Sequence, residues 1–267
     1  MLDATTVDAY LRRIGAKRPE RPDGQALSHL HERHVLSVPF ENVDFAFGRP
    51  SLPIGLGEPA LEKIIGRGRG GCCYELNGAF FTLLSALGFD VEPMGGRVLE
   101  DGAFGPLLGH LCLRVRTEDS ADPWLADVGY GRAFRFPLRL RAGTPQQDPQ
   151  GSFELVEAPK GDLDLYRDGE LQYRVEPRAR ELADFAPTLW WFRSADDSPF
   201  LARQVCSMPT PDGRVTLAGR TLTRTENGVR TQEELADDAA VRAAYRTWFG
   251  IELDVLPPPD RQTDGED

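Results

Sequence analysis

Cysteine, methionine and histidine are all scarce: four, three and four residues in a chain of 267. Four cysteines in a chain without a recognisable signal segment argue against a disulfide framework. The opening Met1-Leu2-Asp3-Ala4-Thr5 carries no basic region leading into an apolar core, so the expected state is free thiols in a cytoplasmic protein. No apolar run approaches the roughly 20 residues that a membrane helix requires, which leaves no expectation of a membrane partner. Positive charge is in deficit. The 31 Lys and Arg against 42 Asp and Glu give a net charge of −11, and a general nucleic-acid binder needs a basic face. There is no internal repeat. The remainder, 40% hydrophobic and 27% charged, suits one large globular domain or two to three compact subdomains.

The chain is organised around Arg69-Gly70-Gly71-Cys72-Cys73-Tyr74-Glu75-Leu76-Asn77. Gly66, Gly68, Gly70 and Gly71 allow a sharp turn and close approach to a ligand. Helical periodicity then starts, with Leu76, Phe80, Leu83, Leu84 and Leu87 on one face and Gly88 as the stop. A thiol in the first turn of such a helix faces unpaired N–H groups and the positive end of the dipole, both of which favour thiolate. Lys63, Arg67 and Arg69, just upstream, are expected to push the same way; such a cluster could receive phosphates, although three basic residues near a turn are more often a solvated surface.

Before this stretch, Val7, Tyr10, Leu11 and Ile14 predict a first helix. A second runs from about Gly24 into Val35, with Ala26, Leu27, Leu30 and His34 or Val35 inward. It carries His29, His31 and His34, which do not share one face and lack a zinc-binding context, so a polar surface with one inward histidine is expected. A further short helix is expected over Gly55 to Ile65. After Gly88 the apolar period changes to that of strands, around Val91, Val98, Leu111 to Val115, Trp124 to Val128 and Phe153 to Val156. Leu163 to Arg167, Asp168-Gly169 and Leu171 to Val175 form a strong hairpin signal. Together they predict a small antiparallel barrel. Ala142 to Gly151 reads as a polar loop and Glu181 to Phe200 as irregular, aromatic-rich chain. Strands return at Arg203 to Met208, Arg214 to Leu217 and Thr221 to Arg224. Thr231-Gln232-Glu233-Glu234 reads as a capping box that opens a helical region to Phe249.

A nucleophilic thiol needs a base, and the base an orienting group. Outside the helical trio the only histidine is His110, at the start of the strand Leu111 to Val115. Asp127 closes Trp124-Leu125-Ala126-Asp127, where a carboxylate must be paired, and an imidazole N–H would satisfy it. Spacing alone leaves open that His110 is a surface histidine and Asp127 a turn cap. Zinc on His110, Cys112, Cys72 and Cys73 is disfavoured because adjacent cysteines make poor joint ligands, so no metal is expected.

Three segments resemble the arylamine N-acetyltransferase family. Arg69-Gly70-Gly71-Cys72-Cys73-Tyr74-Glu75-Leu76-Asn77 is similar to its active-site pattern, with Cys72 where the family usually carries an aromatic. Pro39-Phe40-Glu41-Asn42 resembles its second signature, to which composition and spacing assign no chemistry beyond a possible Glu41–Arg pair and an Asn42 turn cap. Asp127-Val128-Gly129-Tyr130-Gly131 is similar to its aspartate segment, and Arg193 to Phe200 loosely to its third signature. Gly109 stands where a hydroxyl residue often precedes the histidine.

The resemblance implies an α+β fold: an N-terminal helical bundle (1–90), a central antiparallel β-barrel (91–185), a C-terminal α/β lid (186–256) and a disordered tail (257–267). It implies Cys73, His110 and Asp127 as catalytic residues. Gly129, Tyr130 and Arg69 become candidates for cofactor binding, and Phe40, Cys72 and Phe200 for the substrate pocket. The implied activity is ping-pong N-acetylation of arylamines or hydrazines by acetyl-CoA, in xenobiotic metabolism, by a monomer or homodimer. An amide synthase of the same fold, or a cysteine hydrolase or transglutaminase-like enzyme, would use the same thiol logic.

Overall fold

The computed structural model describes residues 2–47, 55–132 and 134–258. Most of the expected tail, 259–267, lies outside them. The first helices follow their apolar periodicity. α1 (Ala4–Ile14) and α2 (Gly24–Val35) are opened by Asp3 and Asp23, whose carboxylates each accept an N–H three residues on, at 2.8 Å. They pack on α5 (Cys73–Ala86) through Tyr10, Ile14, Leu27, Leu30, Leu76, Phe80 and Leu83. Between α2 and α5 lie β1 (Phe40–Glu41), α3 (Val43–Ala46) and α4 (Pro59–Leu61), which continues into a π turn over Glu62–Gly66. The helix expected from Gly55 therefore begins only at Pro59, with proline at its first position.

An antiparallel sheet follows, built from β2 (Asp90–Glu100), β4 (His110–Arg116), β5 (Trp124–Ala126), β6 (Leu138–Arg139), β7 (Gln146–Asp148), β8 (Gly151–Glu157), β9 (Leu163–Arg167) and β10 (Glu170–Ala179); β3 (Ala103–Phe104) pairs only with β2. Its order, β6-β5-β4-β2-β10-β9-β8-β7, curls into a nearly closed barrel. Side chains of β7 bridge the seam between the end strands: Arg139 N–H donates to Gln146 Oε1 at 2.6 Å, and Gln146 Nε2 donates back to the Arg139 carbonyl at 3.0 Å. The expected loop from Ala142 to Gly151 thus contains a barrel strand. Its polar composition reads as loop because β7 is an edge strand that contributes a hydrogen-bonding side chain and no apolar face. The Asp168-Gly169 hairpin is present, with φ of 51° and 84° at the two turn residues. β4 is buried on both faces. Leu113 and Val115 pack on the helices, while Cys112 enters the barrel interior with Met94, Leu125, Phe153, Leu165 and Tyr173.

The 181–200 segment is helical rather than irregular: α6 (Ala186–Ser194) and α7 (Pro199–Ala202). Leu189 and Phe192, one face of α6, are buried with Phe185 and Leu201 around Cys72, Cys73 and Tyr74. Aromatics at helical spacing were masked by the bulk and low helix propensity of Trp and Phe. The last sheet runs β1-β11-β12-β13-β14, all antiparallel, with β11 (Val205–Thr210), β12 (Gly213–Ala218), β13 (Thr221–Glu226) and β14 (Val229–Glu234), and α8 (Asp238–Phe249) packs on it. Here the capping-box expectation fails. Thr231 to Glu234 is an exposed edge strand, because Asn227 (φ 50°) and Gly228 (φ 80°) turn a hairpin that pairs it with β13. The helix is capped instead by Asp237, which accepts the Ala240 N–H at 2.8 Å. The overall architecture is the expected α+β one.

Candidate active site

Cys73 occupies the first turn of α5, His110 the first position of β4, and Asp127 the residue after β5. Because β4 and β5 pair side by side against α5, three residues far apart in sequence meet. His110 Nε2 lies 2.7 Å from Asp127 Oδ2. That commits Nε2 and leaves Nδ1 for the Cys73 sulfur, with which His110 interacts both as hydrogen-bond partner and as charge. Cys73 and His110 are 3% and 2% exposed, and Asp127 is fully buried.

Such burial would normally keep all three groups neutral. Burial raises the Asp127 carboxyl, but the His110 charge and the hydrogen bonds from His110, Asn77 and Tyr173 outweigh it and hold the group below the usual carboxylate range. Five donors converge on it. Oδ2 accepts from His110 and from Tyr173 Oη at 2.8 Å; Oδ1 accepts from Asn77 Nδ2 at 2.8 Å and from the Gly129 and Tyr130 N–H groups at 3.0 Å each. Burial lowers His110, yet Asp127 and the Cys73 thiolate raise it above an ordinary imidazole. Burial raises Cys73, yet the Cys72 thiol, the His110 imidazolium and the Leu111 N–H draw it below an ordinary thiol. Both shifts favour the thiolate and imidazolium forms of the pair.

Three further residues hold this geometry. Asn77, one turn after Cys73 on α5, donates to Asp127 and to the Leu111 carbonyl at 2.6 Å and accepts the Val128 N–H at 2.9 Å. His31 is fully buried, as is His34, so two of the helical histidines point inward rather than one. The His31 Nδ1–H donates to the Arg135 carbonyl at 2.9 Å, so Nε2 accepts the Asp127 backbone N–H at 3.1 Å. Tyr173, on β10, gave no sequence signal. Asn77 and His31 could have been suspected: the first shares a helical face with Cys73, and the second is the inward-facing position of α2.

The basic residues upstream of Cys73 do something other than expected. Lys63 and Arg69 are buried in an ion-pair cluster. Lys63 Nζ lies 3.2, 2.9 and 3.1 Å from Glu41, Asp44 and Glu75, and Arg69 Nη2 lies 2.8 and 3.0 Å from Glu41 and Asp44. Their charge is thus neutralised where it stands, and Arg69 has no guanidinium to offer a cofactor. Only Arg67 is exposed. The cluster locks Pro39-Phe40-Glu41-Asn42 to the glycine turn: Glu41 N–H donates to the Gly71 carbonyl at 2.9 Å, and a Cβ on Gly70 would fall 1.9 Å from the Pro39 oxygen. Gly70 is therefore set by backbone crowding, not by a ligand. Asn42 caps no turn. Its amide bridges to the Arg203 carbonyl (2.8 Å) and the Val205 N–H (2.7 Å), tying the segment to β11. Replacing Arg69 by methionine leaves buried carboxylates under-neutralised. We expect a loss of about 3 kcal/mol in stability, read as a lower urea midpoint at unchanged slope.

The other candidates divide. The Gly129 and Tyr130 N–H groups are taken by Asp127. Gly129 permits close packing, since a Cβ there would sit 2.7 Å from Cys73 Cα. The Tyr130 side chain lines a surface indentation with Phe40, Gly131, Ser207 and Arg214. Phe40, Cys72 and Phe200 do gather around Cys73, with the Phe40 and Phe200 rings 6.4 Å apart and Phe200 stacked on Phe192 at 4.8 Å. Leu108, two residues before His110, holds a left-handed φ of 56°, and its carbonyl accepts Tyr74 Oη at 2.8 Å. Among the described residues no three His, Cys, Asp or Glu side chains group as a metal site, and no helix is long and apolar enough to cross a membrane.

A cysteine at a helix start beside a histidine and an aspartate on a barrel edge is the kind of arrangement on which thiol enzymes with a Cys-His-Asp core are built. The comparisons narrow that class. The N-acetyltransferase family model matches residues 23–256, and the chain belongs to the arylamine N-acetyltransferase family, whose members are acyltransferases. The arylamine N-acetyltransferase of Mycolicibacterium smegmatis is 33% identical over 97% of this chain and 96% of its own length. A solved structure of the M. smegmatis enzyme superposes with a TM-score of 0.86 at 32% identity, covering 95% of this chain and 93% of that one. The Mycobacterium marinum enzyme in complex with CoA gives 0.84 at 30% identity, covering 92% of each chain.

Proposed function

We propose that this enzyme N-acetylates arylamines and hydrazines in the cytoplasm, with acetyl-CoA as donor and an acetyl-Cys73 intermediate. The observation that carries this reading is the buried line from Cys73 through His110 to Asp127. In the first half-reaction the Cys73 thiolate attacks the thioester carbonyl. The CoA thiolate leaves with the His110 proton, and the acetyl group stays on sulfur. In the second, the amine attacks the Cys73 thioester, His110 takes the amine proton, and the thiolate is expelled. Arylamines suit this route because their weak basicity leaves the nitrogen lone pair free near neutral pH. The M. marinum relative bound to CoA supports the donor, and the names of the relatives support the acceptor class.

Intact-mass measurement tests the reading directly. Wild-type protein mixed with acetyl-CoA is expected to gain one acetyl group and to lose it when an arylamine is added; Cys73→Ala gains none. A Cys73 that alkylates readily yet is never acetylated would overturn the donor assignment and favour an amide synthase fed by a carrier-bound chain.

A further inference from the structure

Arg214, on β12, sends its guanidinium into the loop that follows Asp127. It donates to the Gly131 carbonyl and, at 3.2 Å each, to Ser207 Oγ and Gln150 Oε1. All three acceptors are neutral. The charged groups that act on it most strongly are two more guanidiniums, Arg167 and Arg132, and both repel it. These three side chains converge on one short segment, Tyr130-Gly131-Arg132. The Arg132 guanidinium lies 5.8 Å from the Tyr130 ring centre, and Arg167 Nη1 reaches the Arg132 carbonyl at 3.5 Å. Arg167 pairs with Asp168 at 3.5 Å.

This arrangement contrasts with the ion-pair cluster upstream of Cys73. In a chain of net charge −11, the buried cations Lys63 and Arg69 are each met by two or three carboxylates, whereas among the described residues Arg214 is met by none. A largely buried guanidinium without a counter-ion is costly, and a second and third guanidinium beside it add to the cost. A bound anion would offset it. The position also fits a ligand. Arg214 lines the indentation together with Phe40, Tyr130, Gly131 and Ser207, and the Tyr130 ring packs edge-on against His110 at 5.7 Å. Tyr130, which lines the indentation, thus also adjoins the proposed catalytic imidazole, and Arg214, which lines it too, has Arg132 and Arg167 acting on it as further fork-shaped donors suited to phosphate oxygens.

We propose that Arg132, Arg167 and Arg214 anchor the phosphate groups of the thioester donor, so that its acyl end reaches Cys73 alongside Tyr130. This rests on the donor reading given above, and the test separates the two. Transfer rates are compared for acetyl-CoA and for S-acetyl-N-acetylcysteamine, a thioester without phosphate, in wild type, Arg132→Ala and Arg214→Met. Arg132 is exposed, so its variant keeps the test valid if Arg214→Met folds poorly. The expected result is a fall of about tenfold or more in the preference for acetyl-CoA, carried by its KM, in each variant. Inorganic pyrophosphate should bind wild type by calorimetry and bind each variant at least tenfold more weakly. An unchanged preference in Arg132→Ala with equal losses for both donors in Arg214→Met, or pyrophosphate that binds wild type and variants alike or not at all, would make the cluster a structural staple and overturn the proposal. Wild type that binds pyrophosphate but accepts neither thioester would instead refute the donor reading and leave the anion site standing.

Discussion

Replacing His110 by glutamine is expected to lower kcat/KM for acetyl transfer by on the order of 10^5-fold, while the protein still folds. Two losses multiply. The first is thiolate. Burial alone raises the Cys73 thiol, and the His110 charge is among the main forces that bring it down to about 5. Without that charge the thiol moves back up toward the ordinary thiol range, opposed only by the Cys72 and Leu111 hydrogen bonds, and a much smaller fraction is ionised at pH 7. The second is proton transfer. Departure of the CoA thiolate and attack by the amine each need a group to give or take a proton, and such a group is worth roughly 10^2–10^4. Iodoacetamide separates the two contributions. In wild type the alkylation rate should be flat near neutrality and fall as pH drops through about 5. In His110→Gln it should rise with pH and still be climbing at pH 9. A variant that keeps the acidic inflection would show that His110 does not set the thiol, and would break the mechanism proposed for it.

The parts of the site that could be read from the sequence are those where one residue type had few places to go. With four histidines in the chain and three on one helix, His110 was nearly forced. Asp127 stood out as a charge ending an apolar strand. The fold was legible where a pattern had one physical meaning, as in the Asp168-Gly169 hairpin or the apolar stripe of α5. It failed where two local signals competed. Thr231 to Glu234 satisfies a capping box, but the Asn227-Gly228 turn, which lies just before it, commits the residues to strand β14 first. The missing site residues share another cause. Tyr173, His31 and Arg214 act through contacts 46, 96 and 83 residues away in sequence, respectively with Asp127, Asp127 and Gly131. No local pattern encodes such distances. Lys63 and Arg69 were misjudged for a related reason: a Glu41–arginine pair was suggested by the signature, but that Asp44 and Glu75 join Glu41 to neutralise both cations shows only after folding.

Asp127→Asn is the sharper test of the buried network, because the hydrogen bonds dictate which way the new amide must face. Oδ1 accepts three donors, Asn77 Nδ2 and the N–H groups of Gly129 and Tyr130, so only the amide oxygen can occupy that place. The amide nitrogen is then forced to the Oδ2 position, facing Tyr173 Oη and His110 Nε2. Tyr173 adapts by turning its hydroxyl hydrogen away. His110 can adapt only by accepting at Nε2, which puts its proton on Nδ1, the nitrogen that faces Cys73. An imidazole protonated there is neutral and cannot take a proton from sulfur or from the amine. We expect kcat/KM to fall about 10^4-fold, as for a triad locked in the wrong tautomer. The thiol should lose most of its acidity, so the alkylation inflection moves from about 5 toward 9. Stability should change less than activity, since the three donors at the Oδ1 position keep their acceptor and only the Tyr173 hydroxyl hydrogen gives one up. Asp127→Ala would behave differently: it strands five donors at once and should unfold the site, at about 1 kcal/mol or more for each. The contrast between a folded, inactive asparagine variant and an unstable alanine variant follows only if one carboxylate both orients His110 and closes the loop that packs on Cys73.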